Sequence, residues 1–296
     1  MRVLVTGAFG LLGASLSRRL SEIGYEVSMH GQSRGALAGD LRDLAFGLEL
    51  LKVTRPNFII NLAASTDVDG CEKTPNSAYL TNAKIVENLA NNIEYLAHNL
   101  GHQIHLIQIS TDQVYDGMGP HYENDISLTN YYAYSKYLGE RAAIRVGGTV
   151  LRTNFFGVSE CLSRSSFSDW ILRMLESGEV INAFEDIKFS PLTMSALIDA
   201  IDMVLKKPIC GVFNLGSSNG MSKADFILFL AQCCDLSVRS IKITSSNGRE
   251  QFAYRPKDMR MNSDKFSQAF DFMIPDLKDQ IRLVSLEYLK KLKIKK

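Results

Sequence analysis

Long apolar runs, paired cysteines and an excess of charge are all missing from this sequence of 296 residues. No segment approaches the roughly 18 consecutive apolar residues of a membrane span, and the opening MRVLVTG lacks the regions of a signal peptide. A net charge of +1 provides no field that would attract nucleic acid or an anionic membrane. We therefore expect a soluble cytoplasmic protein that binds neither nucleic acid nor membrane.

The cysteines are too scattered for a structural site. The five thiols are odd in number and form no Cys-x-x-Cys pair, which argues against a disulfide framework or a zinc site. We predict reduced thiols and assign no metal ligands, and whether a divalent metal binds is left open. A content of 46% hydrophobic and 22% charged residues is that of an ordinary globular protein, and the length exceeds that of a usual single core.

Short β-branched runs alternate with longer segments of helical period in the first half of the chain, beginning with RVLVTG, LLGASLSRRLSEIG and YEVSMHG. Because parallel strands need a crossover to return the chain, this order predicts a Rossmann-like α/β fold with a doubly wound parallel sheet. The alternation loosens later. We predict a dinucleotide-binding domain over residues 1–155 and a smaller, mainly C-terminal α/β substrate domain over residues 156–296, with some segments returning to the first domain and a cleft between the two.

The first loop, VTGAFGLLG, places Gly7, Gly10 and Gly13 between a predicted strand and a predicted helix. Glycines there permit a tight turn, let backbone N–H groups approach a pyrophosphate and allow the helix to pack on the sheet. Such a triplet is weak evidence alone, and its position between strand and helix makes it informative. We predict a dinucleotide site at this loop.

The end of the second strand indicates which dinucleotide binds, since a carboxylate there holds the ribose hydroxyl of NAD and a basic group accepts the 2′-phosphate of NADP. The sequence MHGQSRG offers Ser33 and Arg34, with no carboxylate before Asp40. NADPH is therefore the favoured cofactor, and NADH is left open. An exposed loop arginine with no ligand is the alternative interpretation of Arg34.

The stretch NYYAYSKYLGE contains four tyrosines and one lysine. Tyr132 and Lys136 are four residues apart and so share one face of a helix, whereas the other tyrosines fall elsewhere. A phenol of ordinary pKa about 10 is a poor acid–base catalyst at neutral pH, but a nearby ammonium and a bound nicotinamide cation would lower that pKa. After the fourth strand, QISTDQVYDG places Thr111 where its hydroxyl could donate to a substrate carbonyl oxygen.

Four motifs in this order, TGAFGLLG, NLAASTDVDGCE, STDQVYDG and YAYSK, resemble the extended short-chain dehydrogenase/reductases, and within them the dTDP-4-dehydrorhamnose reductase group. LRTNFFG, FEDIKFSPLT, GVFNLGSSNGMSKADF and RPKDMRMNSDKF are similar to later landmarks of that group, so the resemblance covers most of the chain. It implies NADPH-dependent reduction of the C4 ketone of a nucleoside-diphospho-4-keto-6-deoxy sugar.

The resemblance also implies roles for single residues. Thr111, Tyr132 and Lys136 match its catalytic residues, with Tyr132 as the proton donor. The positions that match cofactor contacts are Phe9, Gly10, Leu11, Leu12, Asp40, Leu41, Ala63, Ala64 and Thr66. The positions expected to contact the substrate are Val68, Asp112, Asn154, Phe155, Arg255 and Arg260. Asn154 and Phe155 stand where the family carries a tryptophan, which indicates a different hexose. Arg255 and Arg260 are expected to bind the nucleoside diphosphate, and surface ion pairs are the alternative interpretation of these two arginines.

Two other functions stay open. A nucleotide-sugar epimerase with bound NAD shares the phenol and the amine, whereas a dehydratase would need a second carboxylate where Gln113 stands. A non-catalytic regulatory subunit, resembling that of methionine adenosyltransferase, would keep the dinucleotide loop and bind a partner chain. The sequence also leaves open a homodimer, the nucleotide base and the sugar.

Overall fold

The computed structural model describes residues 1–161, 164–247 and 253–294. Its strands are β1 (Arg2–Thr6), β2 (Glu26–His30), β3 (Phe58–Asn61), β4 (His105–Thr111), β5 (Thr149–Thr153), β6 (Phe155–Phe156), β7 (Ile181–Phe184), β8 (Lys188–Phe189), β9 (Leu192–Thr193), β10 (Gly211–Leu215), β11 (Met221–Ser222) and β12 (Ile241–Thr244). Its α-helices are α1 (Leu11–Glu22), α2 (Leu44–Thr54), α3 (Val68–Lys73), α4 (Pro75–Tyr79), α5 (Ile85–Leu100), α6 (Tyr131–Arg145), α7 (Phe167–Ser177), α8 (Met194–Lys206), α9 (Lys223–Cys233), α10 (Asp264–Phe270) and α11 (Leu277–Ile294). A π-helical turn covers Leu80–Lys84, and a 3-10 turn covers Asp112–Val114.

A parallel sheet forms the centre of the protein. Within the described residues it has six strands, in the order β2-β1-β3-β4-β5-β10. The chain moves from β1 outward to β2 and then to β3 on the other side, so the direction of winding reverses between β1 and β3. Ligands of doubly wound sheets bind at such a reversal, at the carboxyl ends of the strands. The predicted fold class is confirmed.

Apolar cores cover both faces of the sheet. Side chains alternate between the two faces along a strand, so Val3 and Val5 of β1 pack in the core that includes α1 and α8, whereas Leu4 packs in the core that includes α2, α5 and α6. None of the helices in the described ranges combines the length and the apolarity that crossing a bilayer requires.

A third core lies away from the sheet and is built from residue 156 onward. Its centre is a group of aromatic rings with centroids 5.0 to 6.1 Å apart, from Phe156, Phe167, Phe189 and Phe226. Buried side chains of α7, α9 and α11 complete it. Later parts of the chain also return to the sheet, since β10 pairs with β5 and α10 packs in the core shared with α1. The division at residue 155 stays a proposal, which this separate core supports.

Replacing Phe226 with Ala should lower the free energy of unfolding by about 3–5 kcal/mol, because removing a buried ring leaves a cavity. Phe226 is fully buried and contacts three other rings. Leu283→Ala is the control, since Leu283 is 63% exposed, and it should change stability by less than about 0.5 kcal/mol. Urea unfolding measures both variants. An equally small effect of the two would show that the aromatic group does not stabilise the fold.

Candidate active site

The turn after β1 is shaped by glycine. Gly7 has a positive φ of 66°, and a Cβ there would lie 2.9 Å from the Ala63 nitrogen. A Cβ at Gly13 would lie within 2.7 Å of the Ala8 backbone, so α1 packs closely on the turn. Gly10 precedes α1 with no side-chain cap, and the first turn of α1 holds no acidic residue. The N–H groups at this helix end are therefore available to an anion, as a dinucleotide pyrophosphate requires.

A first cavity of about 570 Å³ opens beside this turn, between the ends of β1, β2 and β3. Nine of the predicted cofactor residues line it: Gly7, Phe9, Gly10, Ser33, Arg34, Asp40, Leu41, Ala63 and Ala64. His30, Arg42 and Arg164 also line it, although no sequence motif singled them out. The first cavity therefore brings most of the predicted cofactor residues together.

The charged groups of this first cavity leave positive charge unpaired among the described residues. Arg42 donates a hydrogen bond to the Asp40 carboxylate at 2.6 Å, and this bond holds the pKa of Asp40 below its ordinary value. Asp40 is therefore already paired. Arg34 has neither an ion pair nor a side-chain hydrogen bond among the described residues. His30 is buried, and its Nδ1 is unpartnered within the same part of the chain.

A second cavity of about 340 Å³ adjoins the first, because Gly7, Gly10 and Ala64 line both. It extends along the carboxyl ends of β4 and β5. The other predicted residues that line it are Leu11, Leu12, Gly13, Thr66, Thr111, Asp112, Tyr132, Lys136, Asn154 and Phe155. The structure thus brings the predicted cofactor and catalytic residues into one continuous cleft.

Thr111, Tyr132 and Lys136 meet in this second cavity. β4 ends at Thr111, and α6 carries the other two residues one turn apart. All three side chains are buried, with exposures of 4%, 7% and 4%. The Asn130 side chain caps α6 by accepting a hydrogen bond from the Ala133 N–H at 2.8 Å, which fixes the start of the helix. The arrangement places two hydroxyl groups and one amine around the same space.

Burial controls the protonation of these groups. Burial lowers the pKa of Lys136 to about 8, an effect that the Glu140 carboxylate opposes, and the Lys136 ammonium donates to the Ile109 carbonyl at 2.6 Å. Burial also raises the pKa of Tyr132 well above its ordinary value, although the Thr111 hydroxyl acts in the opposite direction. The sequence predicts a lowered phenol pKa; with protein groups alone the sign is opposite, because removing a phenolate from water outweighs the favourable contacts.

Asp112 is buried beside Thr111, with an exposure of 1%. Its carboxylate accepts hydrogen bonds from Asn154 Nδ2 at 2.8 Å and from Thr111 Oγ1 at 3.3 Å. Burial raises the pKa of Asp112 to about 6, whereas the Asn154 bond and the positive charge of Lys223 lower it. The group is therefore poised to change charge in weakly acidic solution.

Three predicted substrate residues lie outside the wall of this cavity. Val68 packs in a small buried cluster with Tyr132. Arg255 forms an ion pair with Asp69 at 2.9 Å. Arg260 lines a separate cavity and forms an ion pair at 2.6 Å with the carboxylate two residues before it. Both arginines thus form the ion pairs that were the alternative to a role in diphosphate binding.

The segment 253–255 belongs to the second half of the chain and contacts elements of the first half. The Ala253 N–H donates to the Asp69 carboxylate at 3.0 Å, beside the ion pair made by Arg255. Asn130 Nδ2 donates to the Tyr254 carbonyl at 3.0 Å. Ala253 is itself buried in the cluster that contains Tyr132. This crossing connection, residues 253–255, therefore forms the wall behind the phenol.

Comparison with known proteins decides the family. The RmlD substrate binding domain family matches residues 1–289. The chain belongs to this family. The dTDP-4-dehydrorhamnose reductase of Shigella flexneri is 28% identical over 291 residues, which are 93% of this chain and 94% of that protein. The spore coat polysaccharide biosynthesis protein SpsK of Bacillus subtilis is 30% identical over 253 residues, which are 82% of this chain and 83% of its own length.

The RmlD-family fold is also found among solved structures. The dTDP-4-dehydrorhamnose reductase of Bacillus anthracis, crystallised in complex with NADP, matches with a TM-score of 0.85 at 24% identity. The match covers 97% of this chain and 99% of that one. At this identity the likeness establishes the shared fold.

Two buried or shielded residues of this RmlD-family chain were missed from the sequence. Asn82, in the π-helical turn, accepts from the Ser65 N–H at 2.7 Å and donates to Ser135 Oγ at 3.0 Å, and so connects the loop after β3 to α6. An amide on the apolar face of a helical pattern was the available signal. Lys223 follows Ser222, an ordinary helix cap, so nothing local distinguishes its ammonium from that of a surface lysine.

Replacing Asp112 with Asn should stabilise the protein at neutral pH. Folding raises the pKa of the Asp112 carboxyl group, so its ionised form destabilises the folded state. This destabilisation is absent below the ordinary pKa of about 4 and complete above the folded pKa of about 6. A shift of about two units corresponds to about 3 kcal/mol. The free energy of unfolding of Asp112→Asn should match wild type near pH 4 and exceed it by up to about 3 kcal/mol near pH 8. Urea unfolding across this range measures the difference, and a difference independent of pH would contradict the assignment.

Proposed function

We propose that this chain is an NADPH-dependent reductase of a nucleoside-diphospho-4-keto-6-deoxy sugar. The single observation that carries the proposal is the convergence of Thr111, Tyr132 and Lys136 in a cavity that adjoins the uncapped glycine turn. The names of its relatives support the substrate class, since the Shigella protein is a dTDP-4-dehydrorhamnose reductase. The NADP complex of the Bacillus anthracis protein supports the cofactor.

When bound, NADPH would supply the hydride that reduces the C4 ketone. Tyr132 would supply the proton to the oxygen, so that the ketone becomes an alcohol and the phenol becomes a phenolate that solvent reprotonates. A buried phenol with a raised pKa stays protonated in the resting site, and because it is a weak acid it would give up its proton only as reduction makes the ketone oxygen strongly basic. Thr111 would donate a second hydrogen bond to the same oxygen and stabilise its developing charge.

Residues of both cavities fit the proposed cofactor. The free N–H groups at the start of α1 would bind the pyrophosphate. Arg34, unpaired among the described residues, would accept the 2′-phosphate of NADPH, with Ser33 beside it. Lys136 would donate to the ribose hydroxyls at the other end while its ammonium stays hydrogen-bonded to Ile109.

Lys223 supplies an anchor for the anionic part of the substrate. Its ammonium lies 5.4 Å and 5.9 Å from the ring centroids of Phe167 and Phe189. Burial lowers the pKa of Lys223, while the charge of Asp112 raises it and that of Arg255 lowers it. Within the described residues this ammonium has no hydrogen bond or ion pair. We therefore assign the diphosphate to Lys223, in preference to Arg255 and Arg260, whose guanidinium groups are paired with carboxylates.

We also propose a cytoplasmic location and a substrate domain in the second half of the chain. Within the described chain the cysteines form no disulfide, which supports the cytoplasmic location that the sequence predicts. Residues 156–296 would supply most of the substrate domain, and Lys223, Phe167 and Phe189 all belong to it. The homodimer stays a prediction.

Tyr132→Phe should lose at least about 100-fold in kcat because it removes the proton donor. The measurement is NADPH oxidation against a panel of nucleoside-diphospho-4-keto sugars, with NADH titrated in parallel. Tyr134→Phe is the matched control, since Tyr134 lies on the same helix but is 48% exposed. Turnover near wild type in Tyr132→Phe would eliminate the scheme. Purified protein that retains NAD and oxidises no added NADPH would favour the epimerase alternative.

Lys223→Met should weaken binding of dTDP about 10-fold or more, because a hydrogen bond to a charged group contributes about 1.5–3 kcal/mol. Titration calorimetry with dTDP, and with thymidine as the ligand without phosphate, measures the effect. Lys265→Met is the matched control, since it removes an ammonium that lies 4.9 Å from the Phe213 ring centroid and is exposed on α10. Unchanged dTDP affinity in Lys223→Met would remove the lysine from this role and leave the reductase assignment standing.

A further inference from the structure

A buried carboxylate stands one helical turn beyond Lys136. Glu140 is 1% exposed, on the same face of α6 as Tyr132 and Lys136. Four-residue spacing places Glu140 next to Lys136 along the helix. Burying an unpaired carboxylate to this extent destabilises a protein by several kcal/mol. Glu140 must therefore have partners that offset its burial.

The partners of Glu140 come from the two strands that end at the site. Ser110 Oγ, next to Thr111 on β4, donates to Glu140 Oε1 at 2.5 Å. Arg152 on β5 donates through Nε to Oε1 at 3.0 Å and through Nη2 to Oε2 at 2.6 Å. This two-pronged contact fixes the plane of the carboxylate. Ser110 and Arg152 also stand opposite each other in the register of β4 and β5.

Arg152 is held in turn from the far side. Its Nη1 donates to the Tyr115 hydroxyl at 2.7 Å and to the Glu123 carbonyl at 2.6 Å. The Tyr115 hydroxyl donates to Asn214 Oδ1 at 2.6 Å, on β10. The chain of contacts thus runs from α6 through β5 to the edge strand of the sheet. It fixes the position of Glu140 relative to Lys136.

Within the described residues, titratable and charged groups approach Lys136 from several elements. From α6 they are Glu140 and the phenol of Tyr132, from the 3-10 turn after β4 there is Asp112, and from the segment before α7 there is Arg164; the last two line the same cavity. From β5 there is Arg152, which lies on the far side of Glu140. Among these, Glu140 lies one helical turn from Lys136 on the same buried face of α6, and its negative charge opposes the effect of burial on the pKa of Lys136.

We propose that Glu140 is a positioning residue that keeps the Lys136 amine protonated inside the buried cavity, with Ser110 and Arg152 fixing its carboxylate. The proposal deepens the proposed function, since only an ammonium can donate to both the Ile109 carbonyl and a bound ribose while adding positive charge beside the reacting oxygen. Arg152 has a second consequence: its positive charge partly cancels that of Glu140. Removing Glu140 should therefore lower the pH at which Lys136 titrates, whereas removing Arg152 should raise it.

The test is the titration of Lys136 itself, followed by NMR of lysine labelled with ¹³C at Cε and assigned by the signal lost in Lys136→Arg. Glu140→Gln should move the midpoint down by about one pH unit or more, because a nearby charge shifts a buried group by about that amount. Arg152→Gln should move it up. The double variant removes both charges, so neither Glu140 nor Arg152 is left as an unpaired ion, and the midpoint of Lys136 should lie below that of wild type but above that of Glu140→Gln. Since no turnover is required, the result is readable even if the reductase assignment fails.

Glu94→Gln is the matched control, because it breaks an exposed ion pair with Arg145 of the same helix at 3.5 Å, and it should leave the midpoint unchanged. If Glu140→Gln does not fold, the double variant decides the question. A folded double variant that titrates like wild type would overturn the proposal. So would a downward shift in Arg152→Gln, since a loss of packing rather than of charge would then explain both variants. In active variants the alkaline limb of kcat/KM should shift with the NMR midpoint.

Discussion

Charge buried at the carboxyl edge of the central sheet is the constraint on which the site depends. Asp112, Lys136, Glu140 and Arg152 are each at most 4% exposed, and charges removed from water destabilise a protein unless each is matched. The sheet makes the matching possible, because β4 and β5 are parallel neighbours that end side by side and α6 packs against both. The bidentate pair of Glu140 and Arg152 joins the helix to the second of these strands.

The sheet was predictable from the sequence because its first four strands are short β-branched runs separated by segments of helical period. The second half was harder. β6, β8, β9 and β11 contain two residues each, too few for any periodicity to show. β10 pairs with β5 at a long distance along the chain, and no local pattern specifies such a partner. The third core was likewise not predictable, because its aromatic rings come from distant segments of the chain.

The candidate site divides in a similar way. The glycine turn and the spacing of Tyr132 and Lys136 are local features, so their residues could be named from the sequence. Lys223 and Arg255 differ in their surroundings. The Lys223 ammonium lies over two aromatic rings, whereas the Arg255 guanidinium forms an ion pair with Asp69. Those surroundings come from distant segments. The sign of the phenol pKa shift also depended on burial, which spacing along a helix does not reveal.

The crossing connection, residues 253–255, holds the second half of the chain against the elements around Tyr132. Behind the phenol, the second half of the chain is fastened to α3 and to the cap of α6 by the ion pair of Arg255 with Asp69, the Ala253 N–H and the Tyr254 carbonyl. Any movement of residues 253–255 away from α3 and α6 must first break these bonds. The position of Tyr132 therefore depends on contacts from both halves of the chain and not on its own helix alone.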